Sequence, residues 1–360
     1  MGSCSTSARV RPFVPAEHGE VAWDWGDEGL LELAWRNARA LGSGPLARLR
    51  RSAREELGLP LEGPIVASGH QPFPVHPGVA IREMLLDRLP EEVFPLWIVV
   101  DSDAPAEVAV RVPLLRRRHT HHCLILLENH VRHVLGALEV PAEITAAWPP
   151  LERRIRTLHN REILKQAQSL WEGLPRAEGT WSEWVRSVRS AWGGVSERVR
   201  CVSVLELVHT EAYREFVWEL LRDRNSFLEA YDSACRLAGV RPLAAGQLPF
   251  WTLDQGRRIP AGEGDVPLVP RALMLTLAVR ALLCDFFLHG AGGAGYEPGV
   301  DRLWQSMWDR KPPLWGWMSG TFKLPEPSER MRALPERDYP FFLYNPEEVV
   351  AALQRPLAAL

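Results

Sequence analysis

One stretch, Ile65 to Asp103 (IVASGHQPFPVHPGVAIREMLLDRLPEEVFPLWIVVDSD), narrows the folds open to this chain more than any other. Its first apolar run, Pro64 to Ala67, stops at Ser68-Gly69 and gives way to a loop bearing His70, Gln71, His76 and Gly78. A helix follows, with Val79, Met84 and Leu85 on its apolar face. The second run, Phe94 to Val100, is apolar without alternation and ends on Asp101 and Asp103. An uninterrupted apolar strand suits a parallel sheet covered on both faces, because a sheet with one wet face alternates apolar and polar residues. The stretch therefore reads as strand, loop, helix, strand, and predicts an α/β fold built on a parallel sheet. In such a sheet ligands sit beyond the carboxyl ends of the strands, so both polar clusters fall on the side where a site is built.

The rest of the chain divides around that unit. Residues 1–60 read as an N-terminal helical segment, with helices over 27–40 and 46–57 separated by the Gly42-Ser43-Gly44-Pro45 break. Residues 61–148 are the first half of the sheet domain and include a strand at 108–112, the basic tract Arg116 to His122 and an apolar run over 123–127. Residues 149–238 turn to long amphipathic helices rich in Arg, Glu, Leu and Trp, the pattern of a helical insertion. Residues 239–325 return to the sheet domain: a strand at Pro249 to Leu253, a strongly apolar helix over 271–288, a glycine-rich turn from Gly290, a helix from about Pro298, and a Pro/Gly-punctuated loop or strand over 311–323. Residues 326–360 form a Pro-broken helical tail.

Composition excludes several classes. A net charge of −3 argues against a general nucleic-acid binder. The five cysteines show no Cys-x-x-Cys spacing, which points to reduced thiols with neither a disulfide frame nor a zinc site. The first residues lack the apolar centre of a signal peptide and no apolar run reaches the length of a membrane span, so the expectation is a cytoplasmic protein without a membrane partner. Trp181, Trp184 and Trp192 fall at helical spacing and read as helix packing. His119, His121 and His122 have no acidic or Cys neighbour to complete a metal site, and read as a solvated or phosphate-facing basic edge. The sequence carries no signal for an oligomeric state.

Two clusters carry chemistry. Gly69 to Gly78 brings His70, Gln71 and His76 to a glycine-punctuated turn just ahead of a helix N-terminus, where backbone N–H groups and the helix dipole favour a phosphate or carboxylate. A Pro-stiffened loop with satisfied histidines explains the same residues structurally. Asp101 and Asp103 end a buried strand, where a carboxylate takes a ribose hydroxyl, an ammonium group or a metal-bound water, or else simply closes an Asx turn.

His76-Pro77-Gly78 resembles the His-x-Gly-His signature of nucleotidylyltransferases and class I aminoacyl-tRNA synthetases, with Val79 standing where the second His belongs. Gly69, His70, Gln71, Trp97, Ile98, Asp101 and Asp103 together resemble the core of the bacillithiol biosynthesis cysteine-adding enzyme family. That family has a Gly-Gln-Gln loop and a Phe-Trp-Ile strand ending in Glu-Asp-His-Asp, so His70 and Ser102 are departures. Downstream, His289 heads a turn in which Gly290, Gly292, Gly293, Tyr296 and Glu297 resemble the family's Gly-Gly-Pro-Gly-Glu turn. Ser319, Thr321 and Lys323 resemble the hydroxyl- and cation-bearing loop that nucleotidylyltransferases close over phosphates.

The resemblance implies a Rossmann-like parallel sheet of the nucleotidylyltransferase type with a helical insertion. It implies a ligase-type enzyme that couples an amino acid or amine to a small-molecule partner, with an adenine nucleotide (ATP or ADP) and Mg²⁺ as the cofactors to expect. His70, His76, Asp101, Asp103 and Lys323 take the catalytic places. Gly69, Gln71, Gly78, His289, Gly292, Gly293, Tyr296, Glu297, Ser319 and Thr321 line the cofactor. A nucleotidyl- or adenylyltransferase is the first alternative. A non-catalytic nucleotide- or metabolite-binding protein, its site degenerate at Val79, is the second.

Overall fold

A computed structural model of the chain describes residues 11–73, 77–116, 119–142, 144, 152–153, 165, 168, 172–193, 196–244, 246–262, 264–322 and 346–360. Along the chain its strands are β1 (Glu20–Asp24), β2 (Ile65–His70), β3 (Phe94–Val99), β4 (Glu107–Arg116), β5 (His119–Glu128), β6 (Arg200–Ser203), β7 (Phe250–Asp254), β8 (Arg257–Pro260), β9 (Val269–Pro270), β10 (Phe286–His289) and β11 (Trp315–Thr321). The helices used below are α1 (Leu30–Gly42), α2 (Ala47–Glu56), α3 (Pro77–Asp87), α4 (Trp181–Gly193), α5 (Val204–Val208), α6 (Glu211–Leu221), α7 (Arg224–Ala238), α8 (Ala272–Leu282), α9 (Glu297–Trp308) and α10 (Pro346–Ala352).

A six-stranded, mostly parallel sheet organises the molecule, in the order β1-β11-β10-β2-β3-β6. Only β1 runs antiparallel, along β11 at one edge. In chain order, the five parallel strands lie third, second, first, fourth, fifth across the sheet, a doubly wound arrangement whose order reverses between β2 and β10. Leu96, Trp97, Ile98 and Val99 of β3 are all buried, as the unbroken apolar run predicts. Alternation sends Val66, Trp97 and Val99 into a core with α1, α3 and α4, and Ile65, Ala67, Leu96 and Ile98 into a second core with α2 and α5 to α9.

The sequence predicts one helix over 271–288, and the structure corrects this. Helix α8 ends at Leu282 and Phe286–His289 is β10, the strand beside β2 at the centre of the sheet. Apolar residues surround the whole run, so periodicity cannot show where a buried helix stops and a buried strand starts. Asp285 marks the change. Its carboxylate bonds Arg50 (2.6 Å) and Arg54 (2.8 Å) of α2 and accepts the N–H of Ile65 (2.8 Å) at the start of β2. A second strand, β6, lies inside the stretch expected to be wholly helical; only four residues long, it leaves no periodic trace.

Two smaller sheets flank the main one. β4 and β5 form an antiparallel hairpin, and β8-β7-β9 form a three-stranded antiparallel sheet. Trp181 and Trp184 of α4 are buried in the core, as their helical spacing predicts; the side chain of Trp192 lies outside the described residues. Among the described residues, no helix is long and apolar enough to cross a membrane.

Candidate functional site

The strand order reverses between β2 and β10, and their onward connections leave on opposite faces. β2 leads to α3 in one core; β10 leads through a short 3-10 turn, Gly293–Tyr296, to α9 in the other. The two connections diverge above the carboxyl ends of the central strands, the place where doubly wound sheets characteristically have their ligand-binding crevice. Ser68 and His70 end one strand and His289 ends the other.

From the β2 side the crevice is floored by Arg82. Helix α3 is wedged between the sheet and α10, so Ala80, Ile81, Met84, Leu85 and Leu86 are all buried and Arg82 and Glu83 are carried inside with them. The Arg82 guanidinium donates through Nη1 to Ser68 Oγ (2.7 Å) and to the Gly69 carbonyl (3.3 Å). Ser68 Oγ donates in turn to the Leu288 carbonyl (2.7 Å), so this chain of bonds stitches β2 to β10. Arg189 of α4 stacks on the Trp97 ring, 4.3 Å from its centroid, and pairs with Glu83. Burial, with Arg189 nearby, pulls the Arg82 pKa down to about 10, which leaves it charged at neutral pH.

On the opposite face, His289 is held by a buried acid. Its Nε2 bonds Glu297, which is fully enclosed and also pairs with Arg280; Arg280 bonds Asp301 (2.8 Å), and Asp301 accepts from Trp315 Nε1 (3.2 Å). A carboxylate only accepts, so Nε2 carries the proton and Nδ1 is left as the basic nitrogen. Nδ1 faces Gly293, where a Cβ would stand only 3.0 Å away.

The glycine turn joins these halves. A Cβ on Gly290 would stand 3.4 Å from Arg82 Nη2, so the residue after β10 lies against the helix that follows β2. Gly292 has open space where a side chain would project, and Tyr296 is partly exposed at the end of the turn. Of these glycines, Gly290 is the one placed beside the helix that follows the first loop.

Other expected residues are spent on structure. Asp101 is buried and accepts the Leu205 N–H (3.2 Å) at the start of α5, while its own backbone carbonyl takes the Gly136 N–H (2.9 Å). Burial pushes its pKa up to about 6. Gly69 is explained by close strand packing, since a Cβ there would meet the Ile98 carbonyl oxygen at 2.5 Å. Thr321 donates to the Pro15 carbonyl (2.6 Å), and Ser319 is buried on β11 opposite Ala22 of β1.

Asp103 stays half-exposed and ties three pieces together. It accepts from Gln71 Nε2 (3.4 Å) and pairs with Arg258 of β8 (3.1 Å), bringing the first loop, the second strand end and the small sheet to one rim. His70 points Nδ1 at the Gln71 carbonyl (3.1 Å) and packs edge-on to Phe73, and Gly78 lies in the first turn of α3. His76 and Lys323 lie outside the described residues, as do the side chains of His119, His121 and His122. Among the described residues, no three His, Cys, Asp or Glu side chains group as a metal site.

Arg82, Arg189 and Arg280 are central here and sequence reasoning passed over all three. An Arg within an amphipathic helix ordinarily marks the solvated face, and nothing local distinguishes Ile81-Arg82-Glu83 from that pattern. A second cavity, about 400 Å³, opens at the β6 edge between Glu56, Arg200, Glu206 and His209. Its acids serve helix ends: Glu56 accepts two N–H groups of α6, and Glu206 closes the capping box of α5.

Comparison of the chain with protein-family models and with curated proteins finds no match.

Proposed function

We propose that the chain is an enzyme of the cysteine-adding type on a nucleotidylyltransferase-like Rossmann core, joining an amino acid or amine to an activated carboxyl or carbonyl partner. The observation that supports the reading is the placement of Gly290, at the end of β10, over Arg82 of α3, where a Cβ would stand 3.4 Å from Nη2, beside the point where the strand order reverses. His289, oriented by Glu297, takes the proton from the attacking amine through Nδ1 as nitrogen bonds to the activated carboxyl carbon; the bond from that carbon to its activating group breaks, and the group leaves as an anion with the electron pair. The first turn of α3 and the open glycine turn receive an anionic group such as the phosphates of ATP or ADP. Asp103, on the rim, orients an ammonium or ribose. Mg²⁺, where a nucleotide is bound, would be held chiefly by its phosphates.

Titration calorimetry with ATP and ADP, followed by mass spectrometry of reactions with amino acids and thiols, tests this. Nucleotide binding by the parent protein, with product formed by the parent and lost in His289→Ala, supports it. Absence of both binding and product across the panel overturns it.

A second reading, a non-catalytic binding protein, draws on Val79. At the place of the signature's second histidine this side chain packs against the core and leaves nothing to meet a phosphate. A ligand that stabilises the fold with no turnover favours it over the enzyme.

A further inference from the structure

Five arginines are buried among the described residues: Arg50, Arg54, Arg82, Arg189 and Arg280. Four of them have carboxylates: Arg50 and Arg54 share Asp285, Arg189 pairs with Glu83, and Arg280 pairs with Glu297. Arg82 is the exception. Its hydrogen bonds go only to the neutral Ser68 hydroxyl and Gly69 carbonyl, with the Trp97 ring centroid 5.7 Å away; its Nε, like those of Arg189 and Arg280, has no hydrogen-bond partner, and among the described residues no carboxylate lies within ion-pairing distance. The nearest strong charges are Glu83, already taken, and a second cation, Arg189.

A buried, uncompensated guanidinium is costly, and proteins retain one where an anion completes it. The position of Arg82 fits such a role. Its guanidinium lies at the carboxyl end of β2 where the strand order reverses, reached from the second turn of the helix that follows, beneath Gly290, where a Cβ would stand 3.4 Å from Nη2. Arginine presents paired N–H donors in a plane, matched to the oxygens of a carboxylate or phosphate.

We propose that Arg82 is the anion-binding residue of the crevice, holding a phosphate or carboxylate group of the ligand through its guanidinium on the side that faces Gly290. The inference deepens the site assigned above and stands on the unpaired charge, so it survives if the reaction assigned there is wrong.

The test measures thermal stability and calorimetric binding of the full chain in a buffer free of phosphate and carboxylate. The probes are inorganic phosphate, pyrophosphate, ATP and malate. The parent is expected to be stabilised by at least one. Arg82→Met, which removes the charge and keeps an unbranched apolar stem, is expected to fold at least as stably without anion and to lose affinity by about tenfold to a hundredfold, the worth of a charge-assisted hydrogen bond. Arg82→Lys should recover part of it. Gly290→Ala keeps the charge and covers it, and should weaken binding even if Arg82→Met fails to fold.

Phosphate and ATP without malate would identify a phosphate ligand, and malate alone a carboxylate. The malate-only result keeps the Arg82 assignment while removing nucleotide from the proposed function. Unchanged affinity in both Arg82→Met and Gly290→Ala overturns the Arg82 assignment and leaves the reaction standing. No stabilisation of the parent by any of the four probes also overturns it.

Discussion

His289 and Glu297 lock the last residue of the central strand β10 to the first residue of helix α9, through a bond from imidazole Nε2 to a carboxylate with no exposed surface. The same carboxylate neutralises Arg280, so one buried acid fixes both a candidate base and the sheet-to-helix corner.

Glu297→Gln keeps the shape and removes the charge. Arg280 would then rely on Asp301 alone, and the variant should lose about 3–5 kcal/mol of stability, the cost of breaking a buried pair. Urea denaturation measures it, and an unchanged midpoint would contradict the central place of Glu297.

Asp101 predicts a pH effect. Its carboxyl has a pKa near 3.8 unfolded and about 6 folded, so the folded protein binds the extra proton between those values and Asp101 costs stability progressively as pH rises from about 4 to 6. Asp101→Asn keeps an acceptor for the Leu205 N–H and removes that cost. Relative to the parent, it should gain on the order of 3 kcal/mol between pH 4 and pH 7, read from chemical denaturation across that range.

Gly69→Ala should destabilise by about 1–3 kcal/mol, the usual range for overpacking, because the new methyl group meets the backbone of Ile98. Ligand affinity per folded molecule should stay constant. A variant of normal stability that binds poorly would return Gly69 to the binding site.

Asp285→Asn leaves Arg50 and Arg54 buried without their acid. A loss of about 3–5 kcal/mol is expected, seen as a lower denaturation midpoint. Arg50→Met in the same background should recover part of it, since the unpaired cation is the source of the cost.

Strand β3 and the start of α3 were legible because an unbroken apolar run and a Pro/Gly helix start are local signals. Strand β10 was not: Phe286-Phe287-Leu288 continues the apolar run of α8, and only the distant arginines Arg50 and Arg54 explain why Asp285 ends it. Within the site, His289, the glycine turn and Glu297 were visible as a motif. Asp101 looked like a ligand-binding acid because a strand-end carboxylate carries no mark of whether it faces a ligand or the start of the next helix. Arg82 was invisible, since its burial comes from α10 covering α3, a contact made across most of the chain.

The pairing of β2 with β10 has a consequence for how the protein is made. Asp285 contacts Ile65 across 220 residues, so the middle of the sheet closes only after most of the chain has been synthesised. Until then β2, β3 and β6 present an apolar half-sheet with an open edge. Long-range closure of this kind is slow and exposes the nascent chain to aggregation, so the yield of native protein should depend on chaperones and on translation speed around the codons for β10.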